Sequence, residues 1–258
     1  MEKHVLIKSG NYEESETDIL FLELGKDHYN FAIADSALSN LKAIGSDDSL
    51  ASKIPLLQRK FKNVLVSAFT PSFSLVPFDF IGNKSSFSNL MNIDAENTSL
   101  YEEVLINQQI VNLFNIPDTD KENLDRHFPA HQLCSQVQPF VKGNIKNDGI
   151  YINIRNTCFE LLIVENQSIL FYNVFEFKND NELQYFLLLV LQQKGIDAAS
   201  ALLKISGDIH ESSLTFQRLR MLIPNLSINE ASKLITYDNS FIEMHRYFSL
   251  LSLTKCVL

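Results

Sequence analysis

The stretch "GIYINIRNTCFELLIVENQSILFYNVFEF" occupies residues 149–177. Its apolar runs, at 149–156, 158–166 and 169–177, are rich in Ile, Leu, Val, Phe and Tyr and are broken by short polar turns. That pattern predicts three consecutive strands. The next segment, "NDNELQYFLLLVLQQKG" (179–195), begins on Asn and Asp, carries a long apolar face and ends at Gly195. It reads as a helix with both ends marked. "SALLKISGD" (200–208) is then a short strand apolar enough to be buried on both faces. The order is strand, strand, strand, helix, strand.

The same order lies upstream. "DILFLELG" (18–25) and "HYNFAIAD" (28–35) are strands, and "NLKAIG" (40–45) is a weaker one. The amphipathic stretch "DDSLASKIPLLQRKF" (47–61) has acids first and bases last, as a helix prefers, with Pro55 as a kink or a late start. Arg59, Lys60 and Lys62 would complement its dipole. "NVLVSAF" (63–69) closes the series as a buried strand. The halves share little residue identity, so the order of five elements is what repeats, and duplication explains it. Between them, 102–117 reads as a hairpin. Residues 118–128 read as a helix opened by Asp118 and Thr119 with Glu122 near the reciprocal capping position. Residues 131–144 supply a further strand and helix. After the second copy come a helix (211–224), a short edge strand (225–229) and a last helix (240–253) whose apolar stripe faces inward. Asn147, Asp148 and Gly149 mark the boundary. The expected domains are 1–147, with an inserted hairpin region at about 84–117, and 148–258.

Composition narrows the function classes. The 258 residues are 45 % hydrophobic and 21 % charged, ordinary for a globular protein, with a formal net charge of −9. That charge disfavours nucleic acid and anionic membrane as partners. The longest purely apolar run, "YFLLLVL" (185–191), is far below the roughly 20 residues that span a bilayer. No membrane insertion and a cytoplasmic location are expected. Cys134, Cys158 and Cys256 form no CxxC pair, which fits reduced thiols.

Three antiparallel strands, a helix and a parallel strand form the ribonuclease-H-like unit. Two in tandem resemble the actin-like ATPase superfamily, which includes sugar kinases, chaperone ATPases, the bacterial division actin and, more distantly similar, the type IV pilus platform actin-like protein. The stretches "FTPSFSLVP" (69–77), "NIPDTDKENLDRHFP" (115–129) and "KISGD" (204–208) further resemble a bacterial family of unknown function grouped with that superfamily. The resemblance implies an α/β fold of two tandem ribonuclease-H-like domains, each a mixed five-stranded sheet with helices.

The resemblance also implies where a nucleotide would bind. Each half of such proteins opens with a strand ending in aspartate and a glycine-bearing turn. The turn amides hold phosphates, and the aspartates bind Mg²⁺ through water. In the first half Glu23 stands near the aspartate position and Gly25 supplies the turn, but Lys26, Asp27 and His28 follow where small or hydroxyl residues are usual. The second half offers Asn153 and Arg155, with no carboxylate and no glycine. Arginine can meet phosphate but cannot help hold Mg²⁺. A pair of glycines that accepts the adenosine is represented by Ser206 and Gly207. The plainer reading is that Gly207 ends a strand and Asp208 caps the next helix.

Other chemistries lack their residues. There is no GxxxxGK[ST] and no GxSxG. His127, His131 and Cys134 lie close in sequence, but Pro129 interrupts the helix that would align the histidines. A ribonuclease-H-type nuclease needs converging carboxylates, and "NVLVSAF" carries none. The expectation is a non-catalytic actin-like protein with a degenerate nucleotide site, no catalytic or metal-binding residues, no cofactor, and a protein partner in an interaction or assembly role. The alternative is an ATP-binding, kinase-like ATPase with ATP and Mg²⁺ at Glu23, Gly25, Asn153, Arg155, Ser206 and Gly207.

Overall fold

A computed structural model describes residues 5–25, 28–47, 54–80, 97–105 and 109–257. The chain forms two compact units: residues 1–139, 234–242 and 250–258 make the first, and residues 140–233 and 243–249 the second. The residues after 233 are distributed over both units.

In the first unit the strands are β1 (Val5–Lys8), β2 (Ile19–Leu24), β3 (Tyr29–Ala34), β4 (Leu41–Asp47) and β5 (Asn63–Ala68). They are followed by β6 (Phe73–Pro77), β7 (Thr98–Leu105), β8 (Ile110–Pro117), helix α1 (Asp118–His127) and β9 (His131–Ser135). The main sheet has the order β1-β4-β3-β2-β5-β9. β2, β5 and β9 run parallel, and β2, β3, β4 and β1 alternate. All six residues of β2 are buried, as a central strand covered on both faces requires. Leu20, Leu22, Phe31, Ile33 and Val66 pack with Leu124 of α1 and Phe128. Each such side chain contributes about 2 kcal/mol on burial. β6, β8 and β7 form a separate three-stranded sheet. The hairpin expected at 102–117 is therefore real and longer, while residues 84–96 of the expected insertion lie outside the described residues.

Helix α2 (Val137–Asn144) leads to the second unit, with β10 (Gly149–Ile154), β11 (Cys158–Glu165), β12 (Ser168–Glu176), α3 (Asp180–Gln193), β13 (Leu203–Gly207), α4 (Leu214–Leu222) and β14 (Leu226–Ile228). The order β12-β11-β10-β13-β14 repeats β4-β3-β2-β5-β9 strand for strand. A register shift falls between Ile33 and Ala34 where β3 meets β4, and between Ile163 and Val164 where β11 meets β12. These are corresponding positions, so the duplication extends to an irregularity. Asn179 caps α3, accepting from Asn181 N at 3.0 Å and Glu182 N at 3.1 Å. Leu183, Leu187 and Leu191 of α3 pack on Ile152, Leu161 and Ile205 of the sheet.

Several local expectations give way to tertiary contacts. Of the helix expected over 47–61, residues 48–53 lie outside the described residues, and the rest holds only a 3-10 turn at Pro55–Leu57 that buries Leu56 and Leu57. Arg59 does not complement a helix end; its Nη2 lies 2.7 Å from Oδ2 of the buried Asp18. The capping box at 118–122 does not form. Pro117 is the N-cap without a side-chain bond, and Asp118 Oδ1 accepts from Ser99 Oγ at 2.6 Å. The last helix is a broken run, with 3-10 turns at Met244–Tyr247 and Ser252–Lys255 flanking α5 (Phe248–Leu251). Its apolar side chains Met244, Phe248, Leu251 and Leu253 are buried, as expected. β1 was not expected at all. Among the described residues, no helix is long and apolar enough to cross a membrane.

Candidate functional site

In both units the fifth residue of the first central strand carries a polar side chain into an apolar sheet: Glu23 on β2 and Asn153 on β10. Glu23 sits in register with Asn30 on β3 and Ser67 on β5. Asn153 sits in register with Glu160 on β11 and Ser206 on β13. The two triads hold the same three residue types with the carboxylate and the amide exchanged. Asn30 Nδ2 donates to Glu23 Oε2 at 3.1 Å, and Asn153 Nδ2 donates to Glu160 Oε2 at 2.8 Å.

The second triad is closed by further donors. Arg155 Nε and Nη2 donate to Glu160 Oε2 at 3.2 and 3.0 Å, and Tyr172 Oη donates to Oε1 at 2.9 Å. Glu160 is completely buried, which such a carboxylate tolerates only with this degree of pairing. Ser206 is also fully buried, its hydroxyl 3.1 Å from both Ile152 O and Asn153 Oδ1. In the first unit Ser67 Oγ is buried and has no hydrogen-bond partner among the described residues.

The turns also correspond. Gly25 N donates to His28 O at 2.8 Å, and Arg155 N donates to Cys158 O at 2.8 Å. Arg155 thus stands where the first unit has Gly25. A Cβ on Gly25 would lie 2.9 Å from His28 O, so a side chain there would need the turn to shift slightly, as the second unit accommodates Arg155. Lys26 and Asp27 lie outside the described residues. Gly207 ends β13 with φ +86°, and a Cβ there would fall 2.0 Å from Ile154 O. Its glycine is demanded by the neighbouring strand. Asp208 does not cap α4. Ser213 does, accepting from Phe216 N at 3.2 Å.

At the carboxyl ends of β10 and β13, where open α/β sheets commonly take ligands, the second unit has an open cleft of about 580 Å³. Several of its polar side chains are engaged with one another. Arg246 Nη2 meets Asp208 Oδ1 at 2.8 Å, His210 Nε2 meets Glu243 Oε1 at 3.0 Å, and Thr215 Oγ1 donates to Asp180 Oδ2 at 2.9 Å. The hydrogen bond that Arg246 donates to Asp208 is the first reason that the Arg246 pKa is raised. Among the described residues no group of three His, Cys, Asp or Glu could hold a metal. His131 Nδ1 instead bonds Phe128 O at 2.8 Å, and Cys134 Sγ donates to Val66 O at 3.5 Å.

Sequence reasoning singled out Glu23, Gly25, Asn153, Arg155, Ser206 and Gly207, and the register brings the last four together at one end of the second sheet. It missed Glu160, Asn30, Ser67 and Tyr172. The signal for Glu160 was available: it is a lone charge inside the apolar run "CFELLIV", and a charge inside a doubly covered strand needs a partner.

The family model described as "Protein of unknown function (DUF3822)" matches residues 8–226. The chain belongs to that family. Among solved structures, a protein with an actin-like ATPase fold and unknown function from Bacteroides thetaiotaomicron VPI-5482 is similar at a TM-score of 0.74 and 17 % identity, over 94 % of this chain and 98 % of that one. The PilM–PilN type IV pilus biogenesis complex matches at 0.66 and 12 % identity, over 94 % and 98 %. The cytoplasmic domain of EpsL, an inner membrane component of the type II secretion system of Vibrio cholerae, matches at 0.52 and 11 % identity, over 93 % and 96 %. No curated protein matches in sequence. Identities this low establish a shared fold and nothing finer. The DUF3822 chain therefore has the actin-like ATPase fold that its element order implied.

Proposed function

We propose that this chain is a non-catalytic actin-like protein, a cytoplasmic interaction or assembly module whose nucleotide position has eroded. One observation carries the reading: the second unit has drawn its only carboxylate in the triad, Glu160, into a buried network with Asn153, Arg155 and Tyr172. An amide occupies the position from which a carboxylate would face Mg²⁺. A side chain replaces the glycine that would let turn amides approach a phosphate, and its guanidinium is tied to Glu160. The Ser206 hydroxyl is spent on Ile152 O of the neighbouring strand, and glycine at 207 is demanded by Ile154 of that strand. These residues do not fit ATP with Mg²⁺.

The structural neighbours lend weight to an assembly role, since PilM occurs in a complex with PilN and EpsL is a component of a secretion system. The partner implied is a protein. The alternative, an ATP-binding enzyme, draws on the first unit, where Glu23, Gly25 and the Ser67 hydroxyl, without a hydrogen-bond partner among the described residues, remain. Thermal unfolding with Mg-ATP separates the two. A ligand at 100 times its Kd adds about 2.7 kcal/mol of stability. We expect no shift at millimolar Mg-ATP, no phosphate release, and recovery of the same partner protein from native cells with or without ATP. A saturable shift accompanied by phosphate release overturns the proposal.

A further inference from the structure

Helix α4 is apolar on the side where a surface helix is ordinarily polar. Its inner side is conventional: Phe216 and Leu219, with Ile223 just beyond, are buried in the core of the second unit. At about 100° per residue, the direction opposite those three is taken by Leu214 and Met221. Leu214 is 59 % exposed and Met221 76 %, and Leu222 beside them is exposed as well. An outward helix face normally carries charged or polar residues. Scattered exposed hydrophobics need no explanation, but here they form a stripe along one line of one short helix. The helix is held firmly for that purpose. Ser213 caps it, and Thr215 Oγ1 ties its first turn to Asp180 of α3 at 2.9 Å. On α3 itself Tyr185, also exposed, points away from the buried Leu183, Leu187 and Leu191.

Charge says what the stripe would meet. Residues 212–229 contain two arginines and no Asp or Glu, in a chain whose formal net charge is −9. Arg218 lies one turn from both Leu214 and Leu222, and Arg220 stands on the other flank of the stripe. Arg218 approaches Asp180 only at 3.9 Å. Arg220 is exposed and makes no ion pair among the described residues. We propose that the outer face of α4 docks an acidic amphipathic helix of a partner protein. Its apolar side chains would cover Leu214, Met221 and Leu222, and its carboxylates would meet Arg218 and Arg220.

Other occupants fit the charges less well. A second copy related by a two-fold axis would bring the same two arginines against each other, with no acid on the face to meet them. An anionic membrane faces the net charge of the whole protein. A single docked helix is governed by its nearest charges, because salt at physiological strength screens beyond about 8 Å. Nine residues of helix span about 14 Å, so the contact belongs to the weak, transient class. Met suits such a surface, since its flexible thioether adapts to the partner. This surface deepens the interaction role proposed above and rests on it. Binding of Mg-ATP would leave it standing, and its failure would leave the eroded nucleotide position standing.

The test uses the full chain with isotope-labelled methionine methyl groups and a synthetic helix of about three heptads. The peptide has Leu at a and d and Glu at e and g, whose like charges keep it from pairing with itself. Met221 is exposed and Met244 buried, so one reports docking and the other serves as control. The Met221 methyl resonance should shift saturably at or below millimolar peptide, while that of Met244 stays in place. Leu214→Ser should weaken binding about tenfold or more, and so should Arg218→Glu combined with Arg220→Glu. None of these side chains belongs to the core, so circular dichroism should be unchanged. The same peptide with Lys in place of Glu should bind the native chain about tenfold more weakly or worse, and should prefer the charge-reversed chain. The comparison of the two peptides needs no change to the protein, so it decides the matter even if a substitution disturbs the fold. No Met221 shift at millimolar peptide, or equal binding of the Glu and Lys peptides, overturns the proposal. So does a Met221 shift produced instead by anionic vesicles or by self-association of the chain.

Discussion

Glu160→Gln tests the central claim that the second unit uses its triad carboxylate for structure. The side chain is fully buried and accepts from Asn153 Nδ2, Arg155 Nε and Nη2, and Tyr172 Oη. Glutamine keeps the shape but offers one acceptor oxygen, and its amide group points donors at donors. It also removes the carboxylate charge 3.0 Å from Arg155 Nη2, whose side chain is 17 % exposed. Removing one partner of a buried pair costs about 3–5 kcal/mol. The water still reaching Arg155 and the acceptor retained by glutamine place the loss near the lower end, about 3 kcal/mol. For a chain of this length that lowers Tm by roughly 6–12 °C. Urea unfolding followed by circular dichroism measures the loss, and hydrogen exchange of β10 and β11 assigns it to the second unit. Arg155→Met combined with Glu160→Gln should recover part of the stability, because the cation that faced Glu160 is removed with its carboxylate. A loss below about 1 kcal/mol, or a double variant as unstable as the sum of the singles, would refute the reasoning.

Gly207→Ala should destabilise by about 3 kcal/mol from left-handed strain and the collision with Ile154 O, whereas Gly10→Ala, with open space around it, should be near neutral in the same urea titration. Asp238 is held well below the usual carboxylate range, first by hydrogen bonds from Ser240 and then by Ser9, whose Oγ lies 2.6 Å away. Its folded pKa is depressed, so its stabilisation is complete above the unfolded value of about 3.9 and declines as pH falls below it. Asp238→Asn should flatten that acid limb when urea midpoints are compared from about pH 6 to about pH 2, and an unchanged limb rejects the assignment. Burial pushes the Cys158 thiol up to about 11, so at neutral pH it stays protonated and should react with thiol reagents only after unfolding. Prompt native labelling at Cys158, read by mass spectrometry, contradicts that.

The sequence by itself determined the two halves, because apolar periodicity is local and each repeat wrote its strand, strand, strand, helix, strand order within its own residues. "ILFLEL" and "GIYINI" are strands for reasons contained in six residues each. Local rules failed where a distant partner offered more. Asp118 gave up its capping box for Ser99, and Arg59 left a helix end for Asp18, 41 residues away. β1 was illegible because four residues, three of them exposed, carry almost no periodic signal and are ordered by the edge of β4. The candidate site divides the same way. Asn153, Arg155, Ser206 and Gly207 were reached one by one, as the positions that match the nucleotide motifs of the superfamily this chain resembles. Only the register of β10 with β11 and β13 put Glu160 beside Asn153 and Ser206, and only burial made its pairing obligatory. A strand pattern states which residues face inward, but it does not state which neighbours they face. That information exists only once strands from distant parts of the chain lie side by side.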